Sequence, residues 1–268
     1  MMRRWVQVLA TFITNGYFLG FLNGTIYQGF GKFFCHPGLN CYSCPGAFTA
    51  CPIGIAQHFI GYVQYRVSLY AVGFIGILGV SIGRMVCGWV CPFGFLQDLL
   101  YQIRSVKVGI PKFLTYLKYV VLVVGVVILP GIGVVPLENQ PWFCKLCPAG
   151  TLEAGLPLVS LNAELRSMVG GFFAFKVVLL VGFLLWMIVA KRPFCRTVCP
   201  LGAFYALFNR VSLVQLEVDL EKCTQCGYCR RVCPMGIDIT KDAKDPDCIR
   251  CFDCLKCPTG AITRRYGS

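Results

Sequence analysis

Four long stretches of this chain are almost free of charge, and they constrain its fold more than any other feature. No charged side chain occurs in Trp5–Gly31, Val67–Gly83 or Tyr119–Leu137, and Met168–Ala190 contains only Lys176. Because about 20 apolar residues cross the roughly 30 Å hydrocarbon core of a bilayer, the sequence predicts an all-α membrane bundle of four transmembrane helices. Only 14% of the residues are charged, against about 25% in soluble domains, which excludes an ordinary cytosolic enzyme.

The uneven distribution of charge predicts how the chain lies in the membrane. Residues 1–216 hold 16 basic and 4 acidic side chains, whereas residues 217–268 hold 9 and 8. In the loops between the predicted spans, 11 basic residues fall on one side and 4 on the other. The richer side is expected to be cytoplasmic, which predicts a multi-pass protein of the inner membrane with both termini inside. No run of five or more basic residues occurs, so no nucleic-acid partner is expected.

Residues 217–268 contain two closely spaced runs of four cysteines. The first has the bacterial ferredoxin spacing Cys-x2-Cys-x2-Cys-x3-Cys-Pro, and the second repeats it with a final gap of two residues. In two-cluster ferredoxins, each [4Fe–4S] cluster takes three thiolates from one run and the fourth from the other. The spacing therefore predicts a small α+β domain with two clusters. Their ligands are Cys223, Cys226, Cys229 and Cys257 for one cluster, and Cys248, Cys251, Cys254 and Cys233 for the other.

A structural zinc site is the alternative for these two runs. Zinc also uses Cys-x2-Cys pairs, but it requires neither a third close cysteine nor a Cys-Pro ending. A disulfide framework is not expected on the cytosolic side, where thiols are kept reduced. The shortened gap between Cys254 and Cys257 leaves the geometry of the first cluster open.

Four more cysteine pairs indicate an internal repeat in the first 216 residues. Each half carries one pair on each predicted side of the membrane, and a proline follows each pair. The inner pairs are Cys87/Cys91 and Cys195/Cys199, and the outer pairs are Cys41/Cys44 and Cys144/Cys147. Matching cysteines are 108 residues apart on the inner side and 103 on the outer side. The sequence therefore predicts two half-repeats, residues 1–112 and 113–216, followed by the ferredoxin domain, residues 217–268.

Two pairs related by a pseudo-twofold axis supply the four thiolates of a cubane cluster. We expect the inner pairs to share one [4Fe–4S] cluster and the outer pairs another. Proline after the second cysteine suits the first turn of a helix, whose free N–H groups then point at the anionic cluster. Alternatively, these thiols are buried core residues or outer disulfides. Cys35 and Cys51 leave the outer side open, because they form a disulfide or join Cys41 and Cys44 in a local cluster.

Several charged and polar residues have two interpretations each. Lys176 either reaches the outer interface with its long side chain or compensates the charge of the outer cluster. Arg84 and Arg192, beside the inner cysteines, either fix the topology or offset cluster charge. His36 and His58 are interfacial histidines, or contacts for a quinone or a metal.

Clusters at opposite interfaces would be about 30 Å apart, which is long for direct electron transfer. Residues 50–65 and 152–161 are apolar enough to form re-entrant helices that shorten this gap. Otherwise a quinone or a partner subunit has to bridge it.

At these motifs the sequence resembles the NapH-type membrane polyferredoxins, which are related to the quinol-dehydrogenase subunit serving periplasmic nitrate reductase. The shared features are four spans, the inner Cys-x3-Cys-Pro pairs and the C-terminal double ferredoxin. The resemblance implies an electron-transfer protein that couples a membrane carrier to soluble redox partners. The additional outer cysteines look like a subgroup with extra redox capacity on the far side.

We therefore expect an iron–sulfur protein in the lipid membrane that relays electrons between a cytoplasmic redox protein and a quinone or an extracytoplasmic redox protein. It would be an electron-transfer subunit of an oxidoreductase, with no catalytic residue of its own. The alternatives are a metal-ion reductase or cofactor-maturation protein, and a membrane anchor for a soluble redox complex. The sequence has no Cys-x2-Cys-His motif for haem and no flavin or nucleotide fingerprint.

Overall fold

The computed structural model describes residues 2–62, 68–132 and 142–267 of the chain. Val67, where the second span was predicted to begin, lies outside the described residues, as do residues 133–137 at the end of the predicted third span. Residues 63–65, at the end of the first predicted re-entrant stretch, also lie outside them. Most of the described chain is helical, as predicted, and a small two-stranded sheet follows near the C-terminus.

Two helices in the described residues are long and apolar enough to cross a membrane. They are Lys112–Gly131 and Gly171–Val189, with mean hydropathies of 2.1 and 2.6. Both coincide with predicted spans. Within the first of them the chain passes from helix to a wider π-helical segment, Val121–Ile128, and back to helix. A third apolar helix, Leu69–Ile82, has 14 residues and stands where the second span was predicted.

The first predicted span is not one continuous helix. The chain forms a helix over Met2–Thr14, leaves it, and forms a second short helix over Phe18–Asn23. The break occurs because the backbone turns to bond a later loop: Tyr17 N–H donates to Gly46 O at 3.1 Å, and Thr14 O accepts from Phe48 N at 3.0 Å. The prediction of a single helix over residues 5–31 is therefore corrected to two short helices packed on the loop of the outer cysteines.

The remaining helices are short, and several begin directly after a cysteine. In the first half they are Phe30–Phe33, Pro52–Tyr62, Met85–Trp89 and Pro92–Leu100. In the second half they are Trp142–Leu146, Pro148–Gly150 with its continuation through Thr151–Gly155 to Leu156–Leu161, Ala163–Ser167, Pro193–Thr197 and Pro200–Phe208. Proline fits the first turn because its fixed φ is helical and its missing N–H would have had no partner there.

The C-terminal domain has the predicted α+β form. Strand Val214–Val218 pairs antiparallel with Ile262–Tyr266, and Leu216 lies opposite Arg264. Between the strands the chain forms a helix, Tyr228–Val232, and a single helical turn, Asp253–Lys256. Cysteines supply much of the small core. Its buried members are Leu216, Cys229, Ile239, Cys248, Cys254 and Ile262.

Buried ion pairs hold the ferredoxin domain against the helical part of the chain. Asp247 accepts hydrogen bonds from the Arg84 guanidinium at 2.6 Å and from the Lys118 ammonium. Arg250 reaches back to donate to Ile82 O at 2.8 Å and to Asn209 O at 2.7 Å. Arg84 and Lys118 are almost completely buried. Because an unpaired buried charge costs several kcal/mol, these contacts fix the position of the domain.

Candidate functional site: four sets of cysteines

The structure gathers the ferredoxin cysteines around two cavities. One cavity of about 520 Å³ is lined by Cys223, Cys226, Cys229 and Cys257. The second cavity is lined by Cys233, Cys248, Cys251 and Cys254, by Cys229 as well, and by apolar side chains. The shortened gap before Cys257 does not remove that residue from its set. We call the two sets the distal and the proximal ferredoxin set, since the proximal one lies nearer the helical part.

The four inner cysteines also converge. The thiols of Cys87, Cys91 and Cys199 each interact electrostatically with Cys195. All four side chains are buried, and burial raises the pKa of the Cys87, Cys91 and Cys199 thiols above the ordinary value, with the neighbouring thiols adding to the effect. Cluster binding requires these cysteines as thiolates, so a cluster would take the place of the thiol protons.

Helix starts place backbone donors at the inner thiols. Gly94 N–H donates to Cys91 Sγ at 3.4 Å, and Gly202 N–H donates to Cys199 Sγ at 3.3 Å. Gly94 has to be a glycine, since a Cβ there would lie 2.8 Å from Cys87 O. This is an arrangement for anionic sulfur, because helix N-termini favour negative charge.

Two arginines cross between the halves at the inner set. Arg84 donates to Cys195 O and Arg192 to Cys87 O, each at 2.7 Å. Arg192 is also paired with Asp98 at 2.5 Å. Burial alone would raise the pKa of Asp98, but the Arg192 guanidinium holds it below its ordinary value. The sequence had offered topology or charge compensation for these arginines. In the structure they also tie the two halves together.

The outer set contains Cys51 where the sequence had suggested Cys44. The thiol of Cys147 interacts electrostatically with Cys144, Cys41 and Cys51, and Cys41 interacts with Cys51 and Cys144. The point where a Cβ of Gly54 would stand lies 3.8 Å from Cys144 Sγ and 3.9 Å from Cys51 Cβ, and the same point of Gly150 lies 3.5 Å from Cys41 Sγ and 3.9 Å from Cys147 Cβ. We call Cys41, Cys51, Cys144 and Cys147 the outer set. The Cys44 thiol lies 3.8 Å from Asn15 Oδ1, and its charged neighbours are Glu153 and Lys32.

The sequence contains a pattern that groups Cys51 with the other cysteines that precede a helix. Cys51-Pro-Ile-Gly54 repeats the Cys-Pro-x-Gly pattern that follows Cys91, Cys147 and Cys199. The backbone N–H of Gly54 faces the Cys51 thiol and that of Gly150 faces the Cys147 thiol, each at the start of a helix.

Sequence reasoning also missed a buried carboxyl group at the outer set. Glu153 Oε2 accepts the Cys41 N–H at 2.7 Å. Burial raises the pKa of Glu153 to about 7. Its signal was its rarity, since it is one of four acidic residues in the first 216.

The sequence also singled out one lysine and two histidines as candidate site residues. Lys176 Nζ stands 6.0 Å over the Phe172 ring, in an apolar hollow that also includes Phe173. His58 is exposed. His36 is buried, and its Nε2 has no hydrogen-bond partner among the described residues.

The donor sets fit iron–sulfur clusters better than single ions. All eighteen cysteines belong to the described part of the chain and are free thiols, including Cys35 and Cys51. Within residues 2–62, 68–132 and 142–267, no three His, Cys, Asp or Glu side chains are close enough to hold one metal ion. A zinc site needs four donors at about 2.0–2.3 Å from one ion. Four buried thiols with backbone N–H donors instead suit a larger anionic cluster.

Comparison with known proteins gives two family matches. A model described as a 4Fe-4S binding domain matches residues 63–111 and again residues 172–216, once in each predicted half. A second model with the same description matches residues 216–237, at the start of the ferredoxin domain. No solved structure matches the chain.

Relatives extend the match over most of the chain. An uncharacterized protein of Methanocaldococcus jannaschii is 32% identical over 233 residues, which cover 82% of this chain and 88% of that protein. The ferredoxin-type protein NapH of Haemophilus influenzae is 31% identical over 196 residues, 68% of this chain and 61% of that protein. This chain belongs to the NapH-type family of 4Fe–4S polyferredoxins.

A second named branch of relatives agrees with the NapH-type assignment. The methylamine utilization ferredoxin-type protein MauN of Methylobacillus flagellatus is 29% identical over 172 residues, 62% of this chain and 53% of that protein. Together with the 4Fe-4S domains, this assignment means that the chain is an iron–sulfur electron-transfer protein with redox-protein partners. Its two long apolar helices and its NapH-type relatives indicate a membrane protein.

Proposed function

We propose that this protein is a membrane-bound relay of four [4Fe–4S] clusters. It would carry electrons between a cytoplasmic redox protein and a quinone or an extracytoplasmic redox protein. The observation that carries the proposal is that contacts join each set of cysteines to the next. When bound, the clusters would supply one-electron redox chemistry. The chain's own part is to hold the thiols close together, exclude water and compensate charge.

The first two sets belong to the ferredoxin domain. The distal set would be the point of contact for a soluble redox protein on the cytoplasmic side, because Cys226 is exposed there. The proximal set shares the small core of the domain with Cys229 of the distal set. A soluble redox partner can therefore approach the distal set directly, while the proximal set is turned inward.

The proximal set adjoins the inner set. The Trp89 indole N–H donates to Arg250 O at 3.1 Å, which places the loop between Cys248 and Cys251 on the helix that contains Cys87. Gly88 allows this approach, because a Cβ there would lie 2.7 Å from Ile249 O. Neighbouring residues of the two sets are thus in van der Waals contact through the backbone.

The outer set is close to the inner set, which removes the gap expected from the sequence. Leu39 N–H donates to Cys91 Sγ at 3.4 Å, and Leu39 lies two residues before Cys41. Two residues span at most about 7 Å. The loop of the outer cysteines therefore brings them to the inner set, and a separation of about 30 Å is not needed.

We further propose four spans around these sets, with both termini cytoplasmic. Helices Lys112–Gly131 and Gly171–Val189 would be two of them. Leu69–Ile82 and the paired helices of residues 2–23 would complete two half-repeats, residues 1–112 and 113–216. The excess of basic residues on one side supports this orientation.

A reductive titration followed by EPR tests the proposal. The anaerobically purified full chain is expected to show four separate cluster signals that titrate. An anchor whose membrane cysteines bind no redox centre would show only the two of the ferredoxin domain. Oxidation of the reduced protein in liposomes by a quinone analogue, compared with oxidation by soluble acceptors alone, tests the membrane partner.

A further inference from the structure

The segment His36–Asn40 touches the inner set on one side and the outer set on the other. Leu39 N–H donates to Cys91 Sγ at 3.4 Å. The next residue, Asn40, directly precedes Cys41, and its backbone N–H faces the Cys51 thiol. Because two residues span at most about 7 Å, the chain passes from the contact with Cys91 to the outer set within that length. The segment thus reaches from one set to the other.

This segment is held rigidly in place. Tyr205 Oη donates to Pro37 O at 2.8 Å, and His36 N–H donates to Ala50 O at 2.8 Å. Gly38 packs so closely on the inner set that a Cβ there would lie 2.8 Å from the Cys91 Cα. A segment anchored at both ends and buried against backbone has one arrangement, which a bridge between two redox sites requires.

Two side chains of the segment are buried with hydrogen-bonding atoms that lack partners. His36 is 1% exposed and its Nε2 has none, and Asn40 is 0% exposed with neither Nδ2 nor Oδ1 partnered among the described residues. A neutral imidazole offers one N–H donor and an amide side chain offers two. Leaving such buried groups without a partner destabilises the fold. Such groups in a native protein indicate a partner that is bound there.

The positions of the two side chains match them to different sets. His36 Nε2 and Cys91 Cβ both lie 3.0 Å from the point where a Cβ of Gly38 would stand, so His36 adjoins the inner set. Asn40 directly precedes Cys41 and bonds Cys51 through its backbone, so it adjoins the outer set.

We propose that the segment His36–Asn40 is the bridge that couples the inner and outer clusters. Its peptide N–H groups bind a ligand cysteine of each, and the side chains of His36 and Asn40 donate hydrogen bonds to sulfur atoms of the inner and the outer cluster, respectively. Hydrogen bonds to sulfur stabilise the reduced, more negative cluster and so raise its potential. This inference rests on the proposed function, because it requires both clusters to be present.

The side-chain part is tested by EPR redox titration of paired variants. His36→Leu is expected to lower the inner potential by about 59 mV, a tenfold change in a one-electron equilibrium, and to leave the outer potential unchanged. Asn40→Leu is expected to do the reverse. His36→Gln and Asn40→Gln keep a donor and should restore most of each shift. Asn162→Leu is the matched control, because its amide bonds Gly24 O at 2.9 Å instead.

The backbone part is tested by displacing the segment. Gly38→Val is expected to weaken the magnetic interaction between the two reduced clusters, while Gly109→Val, at a glycine with open space around it, leaves the interaction intact. Iron and sulfide are measured for every variant. Two missing clusters in the unsubstituted chain would overturn the proposed function itself. Intact clusters with unchanged potentials in both leucine variants, or unchanged magnetic interaction in Gly38→Val, would overturn the bridge alone.

Discussion

The inner and outer sets begin their helices in the same way but differ in the charges around them. At the inner set, Asp98 is shared by Arg192 and Arg3, and Asp247 by Arg84 and Lys118. Arg3 is also paired with Asp253 at 3.2 Å, so the charges around Asp98 are balanced. The group of Asp247, Arg84 and Lys118 is left with one positive charge. At the outer set the buried ionisable neighbour is Glu153, which contacts Cys41.

This contrast teaches how one helix-start motif can hold two redox sites of different potential. Positive charge stabilises a reduced, more negative cluster, and a nearby carboxylate destabilises it. We therefore expect the inner cluster to have the higher potential. Electrons delivered at the outer cluster would then run downhill to the inner one.

The largest effect is expected from Cys51 and Cys44, which are the two candidates for one position in the outer set. Cys51→Ser should remove the outer cluster, a loss of about four irons per chain, because its thiol lies among Cys41, Cys144 and Cys147. Cys44→Ser is the matched variant and should retain full iron content. Iron analysis of both, with the ferredoxin signals as internal reference, makes the comparison. Full iron in Cys51→Ser together with a loss in Cys44→Ser would restore the assignment made from spacing.

The acidic partners of the inner arginines should give the next largest effect. Asp247→Asn leaves Arg84 and Lys118 buried without a carboxylate, which costs about 3–5 kcal/mol. Thermal unfolding in detergent and limited proteolysis near residues 210–213 would report a loosened ferredoxin domain. Glu217→Gln breaks an exposed pair with Arg265 at 3.6 Å and should change stability by less than about 1 kcal/mol. Equal effects of the two substitutions would contradict the docking role.

Opposite shifts in the potentials of the inner and outer clusters would support the difference in charge between the two sets. Arg192→Gln is expected to lower the inner potential and Glu153→Gln to raise the outer one, each by about 60 mV for every 1.4 kcal/mol of lost interaction. EPR titration of the two variants against the unsubstituted chain measures both. Shifts of the same sign would show that the local charges do not set the order of potentials.

A smaller effect is expected at Gln97, because only the first half of the chain places a glutamine at this position beside the inner set. Its Nε2 donates to Cys195 Sγ at 2.9 Å, whereas the equivalent residue in the second half is Tyr205. Gln97→Leu removes this bond to the thiol, together with the bonds to Phe93 O and from Cys195 N–H. Loss of the bond to the thiol, about 1 kcal/mol, should lower the inner potential by about 40 mV. Gln102→Leu, an exposed residue one turn later, is the control and should have no effect on the potential.

The sequence predicted what depends on local spacing. The two ferredoxin sets and the inner set follow from cysteines a few residues apart on loops and helix starts, and these residues converge in the structure. For the fourth member of the outer set, the resemblance of Cys41-x2-Cys44 to Cys144-x2-Cys147 favoured Cys44, whereas the Cys-Pro-x-Gly pattern at the helix starts indicates Cys51.

Features that depend on tertiary contacts were not predictable in this way. The break after Thr14 arises because the backbone of Thr14 and Tyr17 pairs with that of Phe48 and Gly46, far along the chain. The closeness of the outer and inner sets rests on one backbone contact, from Leu39 to Cys91, which has no periodicity or spacing to reveal it. Charge counts treated Arg84 and Arg192 as loop residues, whereas both are fully buried against carbonyl groups of the opposite half.

Iron and acid-labile sulfide per chain, measured on protein purified without oxygen, test the central claim most directly. Four sets of four thiols should give about sixteen irons and as many sulfides, with Mössbauer spectra of [4Fe–4S] centres alone. A value near eight would mean that the inner and outer thiols hold no cluster, and the relay would end at the ferredoxin domain.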